Sequence, residues 1–302
     1  MKKFNFKSKK FLTAAFFITS GLTIFSPSNP VKAEGVCPDA STITSPNGIG
    51  DDTSFIAVAN GNCYGTPEEY GVTIFRMGLC TSNPAPTSAG SAPDTSSCTF
   101  TFEKDDGIGE AKSFAAGGVV DLSEEYSSAP AVGDYTYALI EIKNSFDIKA
   151  KYGPLGDTDR TTYFTNGDYT TSGSVTGATT TPSETEYVVS EAPLNTFYGD
   201  EGEEVCTATA SETVAAGTIS AYLLDSSGNL IADDPSSTSC SGVNKLFGVM
   251  TLDDDVNITA STSSLQATFT VTDNGTTVIY DDVADGIRFD SGPFSVTFET
   301  SE

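Results

Sequence analysis

Apolar and polar residues alternate with a period of two along much of the chain. Phe294, Val296 and Phe298 alternate with Ser295, Thr297 and Glu299, while Leu265, Ala267, Phe269 and Val271 alternate with Gln266, Thr268, Thr270 and Thr272. Such a pattern puts one face of a β-strand on a core and the other in water. Asp273-Asn274-Gly275 separates the second run from Thr276-Thr277-Val278-Ile279-Tyr280 and predicts a hairpin, because Asn and Gly tolerate positive φ. Two more hairpins are expected, at TISAYLLD–SSGN–LIAD and at CTFTFEK–DDGIG–EAKSFA. The run 132–152 differs. Tyr135, Tyr137 and Leu139 fall on one face and Ala138, Ile140 and Ile142 on the other, which predicts a central strand covered on both sides. No stretch sustains a helical period with caps, so few helices are expected.

The expected fold class is therefore all-β, with one or two antiparallel β-sandwich domains. Residues 153–187 are rich in Gly, Thr and Ser and poor in aliphatics, and read as a linker or extended loop. They separate an N-terminal sandwich domain, 34–152, from a C-terminal one, 188–302. The alternative is that this stretch adds polar edge strands to one larger sandwich, an option that Tyr163, Phe164 and Tyr169 keep open.

The first 33 residues read as a signal peptide. Lys2, Lys3, Lys7, Lys9 and Lys10 precede the apolar run 11–25, and Val31-Lys32-Ala33 offers a cleavage site. As a helix that run would span about 22 Å, short of the roughly 30 Å hydrocarbon layer, so no transmembrane anchor is expected after cleavage. The expected location is outside the cytoplasm: periplasm, cell surface or medium. All six cysteines, Cys37, Cys63, Cys80, Cys98, Cys206 and Cys240, lie beyond the cleavage point. An even count in an exported chain reads as disulfides, and sequence-local pairs are favoured: Cys37–Cys63, Cys80–Cys98 and Cys206–Cys240. The segment between Cys80 and Cys98 is too polar and Pro-rich to pack by itself, so a covalent clip holds its ends. A zinc site would want CxxC-type spacing and usually histidine, and the chain has neither.

Charge narrows the partners. The sequence holds 15 Lys and Arg against 41 Asp and Glu; removing the leader takes six lysines and no acid, leaving a net −32. Such a surface repels nucleic acid and anionic lipid and favours solubility. Calcium is the cofactor that acidic loops could take, the candidates being Asp51 and Asp52, Asp105 and Asp106, and Asp253, Asp254 and Asp255. None shows the one-loop spacing that fills a calcium shell. With no histidine, Ser–His–Asp and Cys–His catalysis and histidine-bearing zinc sites are excluded. A carboxylate pair of the glycosidase kind stays open. There is no Trp to stack on sugars, a role that Tyr135 or Tyr198 could fill. No catalytic residue is assigned.

The succession EYGVTIFRMGLCTS, SCTFTFE and VVDLSEEYSSAPAVGDYTYALIEI, within residues 64–152, resembles uncharacterised exported proteins of marine and other Gram-negative bacteria. In these a strand ends in Leu-Cys, a second cysteine follows a short loop, and Asp-Leu precedes a G-x-Y-T strand. The last element also resembles a strand near the end of prealbumin-like and Cna-B-like sandwiches. The resemblance implies an Ig-like or prealbumin-like sandwich and carries no activity. The lysine that Cna-B domains cross-link from an early strand has no counterpart between the cleavage point and Lys104.

The expected function is that of an exported structural or adhesive surface protein without catalysis, a subunit of a filament or surface assembly. Its partners would be other copies, other surface proteins or carbohydrate. The last apolar strand, ending near Phe298, could complete a neighbour's sheet. A secreted carbohydrate- or small-ligand-binding module, calcium-dependent or not, is the alternative, and a carboxylate-dependent hydrolase the outsider.

Overall fold

A computed structural model describes residues 12–16, 36–42, 62–104, 107–115, 130–156, 160–168, 173–175, 187–197, 205–214, 217–273, 275–281, 286–292 and 294–301. Among these the chain is built from strands, with one 3-10 turn at Ala40–Thr42 and no α-helix. The first strands are β1 (Leu12–Phe16), β2 (Asn62–Gly65), β3 (Glu69–Cys80), β4 (Cys98–Glu103), β5 (Glu110–Ala115) and β6 (Gly133–Lys149). Short strands follow: β7 (Lys151–Tyr152), β8 (Thr162–Phe164), β9 (Gly173–Val175) and β10 (Ser190–Pro193). The remainder are β11 (Thr209–Val214), β12 (Gly217–Leu224), β13 (Lys245–Ile258), β14 (Ser264–Thr270), β15 (Thr276–Asp281), β16 (Gly286–Ser291) and β17 (Phe294–Ser301).

One antiparallel sheet dominates, in the order β11-β12-β13-β6-β3-β4, with β10 pairing β6 and β5 pairing β3. The run with apolar residues on both faces is its centre. β6 is 17 residues long and lies between β13 and β3, with Ala138, Leu139, Ile140 and Ile142 all buried. Burying side chains such as Phe146 and Phe247, both 0% exposed, contributes about 2–3 kcal/mol each. Among the described residues three smaller sheets accompany the large one, β1-β17-β14, β16-β15-β2 and β7-β8-β9. The second of these meets the large sheet through a buried hydrogen bond between the Tyr70 hydroxyl and Ser291 Oγ, 2.8 Å. Buried side chains from the two sheets, among them Ile74, Phe146, Val278 and Phe289, belong to one continuous core.

The strand pairing bears on the expected domains and hairpins. Strands on either side of 153–187 share the large sheet, β6 pairing both β13 and β10, so its hydrogen bonding does not divide at the expected boundary. Buried residues from both halves, among them Leu139 and Val249, belong to the same core. Within that stretch Thr162, Tyr163 and Phe164 form the buried strand β8, the middle strand of the separate sheet β7-β8-β9. The hairpins also differ. β14 pairs β17 whereas β15 pairs β16 and β2, so the turn near Asp273 sends its two arms to different sheets. β4 and β5 do not pair with each other; they lie end to end against β3, opposite 76–80 and 69–74 respectively. After Leu224 only the Leu224–Leu230 bridge forms before the chain leaves the sheet, because β12 already has β11 and β13 as neighbours.

The three disulfides are the sequence-local ones, Cys37–Cys63, Cys80–Cys98 and Cys206–Cys240, with no free cysteine. They suggest an oxidising, non-cytoplasmic location. No helix among the described residues is long and apolar enough to cross a membrane.

Candidate functional site

A cleft of about 330 Å³ opens on the large sheet. Its floor comes from β3, β6 and β13 (Phe75, Arg76, Glu141 and Lys245), and its walls from three loops (Ala92, Pro93 and Thr95; Lys104 and Gly107; Ser227 and Gly228). A β-bulge makes the floor. In β3 against β6, Ile74 opposes Ile142 and Arg76 opposes Glu141, so Phe75 is an extra residue. A bulge re-aims side chains locally, and here two consecutive residues line the same cleft instead of pointing to opposite faces. Gly109, at φ +75°, lets the following loop lie against that bulge; a Cβ there would fall 2.7 Å from Thr73 Cγ2 and 3.0 Å from Phe75 Cδ1.

The sheet register lines up the charges. Arg76 stands opposite Glu141 on one side and Glu103 on the other. Lys245 lies one diagonal step from Glu141, across from Lys143. Glu141 is buried, its side chain 4% exposed, yet both oxygens are met: Arg76 Nε donates to Oε2 and Lys245 Nζ to Oε1, each at 2.6 Å. A carboxylate taken from water costs several kcal/mol unless paired, and two cations offset that cost here. The two cations also lie over aromatic faces, Arg76 over Phe100 at 5.1 Å and Lys245 over Phe75 at 4.8 Å. On the rim, Glu110 bridges Lys104 (2.9 Å) and Lys112 (2.6 Å). Three of the nine cations beyond residue 33 therefore line one cleft of a strongly acidic chain.

The clip at Cys80–Cys98 fixes one wall. These cysteines oppose each other across β3 and β4, and the loop between them zips onto the 225–230 turn: Gly90 N–H donates to Leu230 O (2.8 Å) and Leu230 N–H to Ser91 O (2.9 Å). That turn is held by the Asp225 carboxylate, which accepts from the backbone N–H groups of Ser227 (2.8 Å) and Asn229 (2.9 Å). Those bonds, Asn229 foremost, keep the Asp225 carboxyl below its ordinary range. Hydrogen bonds and a cystine thus hold this wall, and ion pairs hold the floor.

The sequence candidates lie elsewhere. Asp253, Asp254 and Asp255 are exposed on β13, where its register against β6 shifts between Thr251 and Val256. Asp51, Asp52, Asp105 and Asp106 fall outside the described residues. Among the described residues no three His, Cys, Asp or Glu side chains are grouped to hold a metal. Tyr135 is no stacking platform, being 4% exposed with its hydroxyl donated to Ala131 O at 3.0 Å; Tyr198 is outside the described residues. Sequence reasoning missed Arg76, Glu141 and Lys245. A signal for Glu141 existed: it is the lone acid in ALIEI, a run with apolar residues on both faces, and a buried charge demands partners. Compared with family models, curated proteins and solved structures, the chain matches none.

Proposed function

We propose that the protein is an exported, non-catalytic surface protein of structural or adhesive type, which recognises a hydroxyl-rich ligand, a carbohydrate, in the Glu141 cleft. The observation that carries this reading is the paired Glu141 at the floor of a cleft whose walls are fastened by a cystine and a hydrogen-bonded turn. Arg76, Lys245, Thr95 and Ser227 supply donors and Glu103 an acceptor, a mixture suited to hydroxyls that both donate and accept. The volume lies at the small end of ligand sites. Arg76 and Lys245 each engage one Glu141 oxygen, an arrangement that supports binding over catalysis. For the sheets we propose an Ig-like or prealbumin-like sandwich, supported by the buried Tyr70–Ser291 contact between two of them. A secreted carbohydrate-binding module would use the same cleft and differ in remaining unassembled.

The test is a glycan array probed with the processed protein and with Ser227→Trp. Ser227 is exposed on the rim, so the bulky side chain blocks the cleft without entering the core. We expect selective binding that the variant loses at unchanged melting temperature. No binding to any glycan, or equal binding by the variant, would refute the assignment of this cleft.

A further inference from the structure

β17 lies between β1 and β14. Against β14 its register sets Val296 opposite Phe269 and Phe298 opposite Ala267. Directly opposed residues share a face, so by register Val296 falls on the face of Phe269, which is 1% exposed. On the other edge Leu12 opposes Phe298, Ala14 opposes Val296 and Phe16 opposes Phe294. β1 therefore continues the same apolar face outward. It is also drawn from the apolar run of the expected leader, and among the described residues no other strand pairs with that edge of β17. Processing would leave the backbone donors and acceptors of Phe294–Phe298 without β1, beside an apolar face, which is the configuration that invites strand addition.

The sequence of β17 indicates what takes the place of β1. Phe294-Ser295-Val296-Thr297-Phe298 has the same apolar–hydroxyl pattern read in either direction about Val296. Two copies related by a two-fold axis at Val296 would oppose Phe294 to Phe298, Val296 to Val296, and Ser295 to Thr297. β1 already presents this arrangement within one chain, where Thr13 opposes Thr297 and Leu12 and Phe16 oppose the two phenylalanines. An isologous contact of this kind closes on itself. We infer that the processed chain dimerises through antiparallel β17–β17 pairing, and that Leu12–Phe16 covers this edge until the leader is removed. The inference rests on the export reading but not on the Glu141 cleft. Each copy carries a large negative charge, so the dimer strengthens as salt screens the repulsion.

Light scattering on three proteins tests it: the full chain, the full chain carrying Ala14→Pro, and the processed chain purified from an exporting host. Proline in β1 removes an N–H and disrupts strand pairing while leaving the rest of the sequence intact. The full chain should be monomeric; the processed chain and the Ala14→Pro chain should show twice the monomer mass. A synthetic peptide of residues 292–300 should return the processed dimer to monomer. A processed chain that stays monomeric at every concentration overturns the proposal. So does a dimer that the peptide leaves intact, or an open-ended polymer. Each of these outcomes leaves glycan binding and its loss in Ser227→Trp untouched, so the two readings fail separately.

Discussion

Replacing Arg76 by Met keeps an apolar stem beside Phe100 and removes the cation on Glu141 Oε2. Breaking a buried ion pair by deleting one partner costs about 3–5 kcal/mol, because the remaining charge is stranded. Glu141 is stranded only in part: its side chain is 4% exposed, but Lys245 still holds Oε1 at 2.6 Å. The expected loss is therefore about 2–3 kcal/mol. Lys143→Met is the control. It breaks an ion pair of the same length, 2.6 Å, but its partner Glu191 is 55% exposed and can rehydrate, so the loss should stay below about 1 kcal/mol. Urea unfolding followed by tyrosine fluorescence reads both. The midpoint should fall well below wild type for Arg76→Met and barely move for Lys143→Met, with slopes unchanged. The Arg76→Met deficit should persist in high salt, since buried pairs are little screened. Equal midpoints for the two variants would refute the view that Glu141 is a buried anion depending on the cleft cations.

Other outcomes follow from the same structure. Burial raises the Asp290 carboxyl to about 6, against the pull of Arg288, 3.0 Å away, and above an unfolded aspartate near ~4. The folded state then binds this proton more tightly, so its contribution to stability falls as pH rises from about 4 to about 6. Asp290→Asn should remove that decline in pH-dependent unfolding curves; an identical pH profile would contradict it. Replacing Cys80 and Cys98 together by Ser releases a loop with a sequence separation of 18 and should cost about 3 kcal/mol, with loss of glycan binding ahead of unfolding. Gly217 has φ +145°, and a Cβ there would collide with the Thr251 carbonyl oxygen, so Gly217→Ala should cost about 2 kcal/mol or more by thermal melting.

Much of the local structure was legible in the sequence. Alternation marked β14 and β17, and apolar residues on both faces marked β6 as central, because burial acts on each strand through its own side chains. Pairing was less legible. The turn near Asp273 satisfies local chemistry, yet β14 pairs β17 and β15 pairs β16, both strands from further along the chain. The cleft was hidden for a related reason. Arg76 and Lys245 reach Glu141 from 65 and 104 residues away, and only the sheet register and a bulge at Phe75 bring them together. The cystine pairs were more accessible, since closing short loops in an exported chain favours neighbours in sequence.

The account rests on an exported chain whose cystines brace one sheet system and one wall of the cleft. Non-reducing peptide mapping of the processed protein by mass spectrometry tests this most directly. It should find an N-terminus near Glu34, no free thiol, and peptides linked as Cys37–Cys63, Cys80–Cys98 and Cys206–Cys240. Reduced cysteines, or any other pairing, would contradict it.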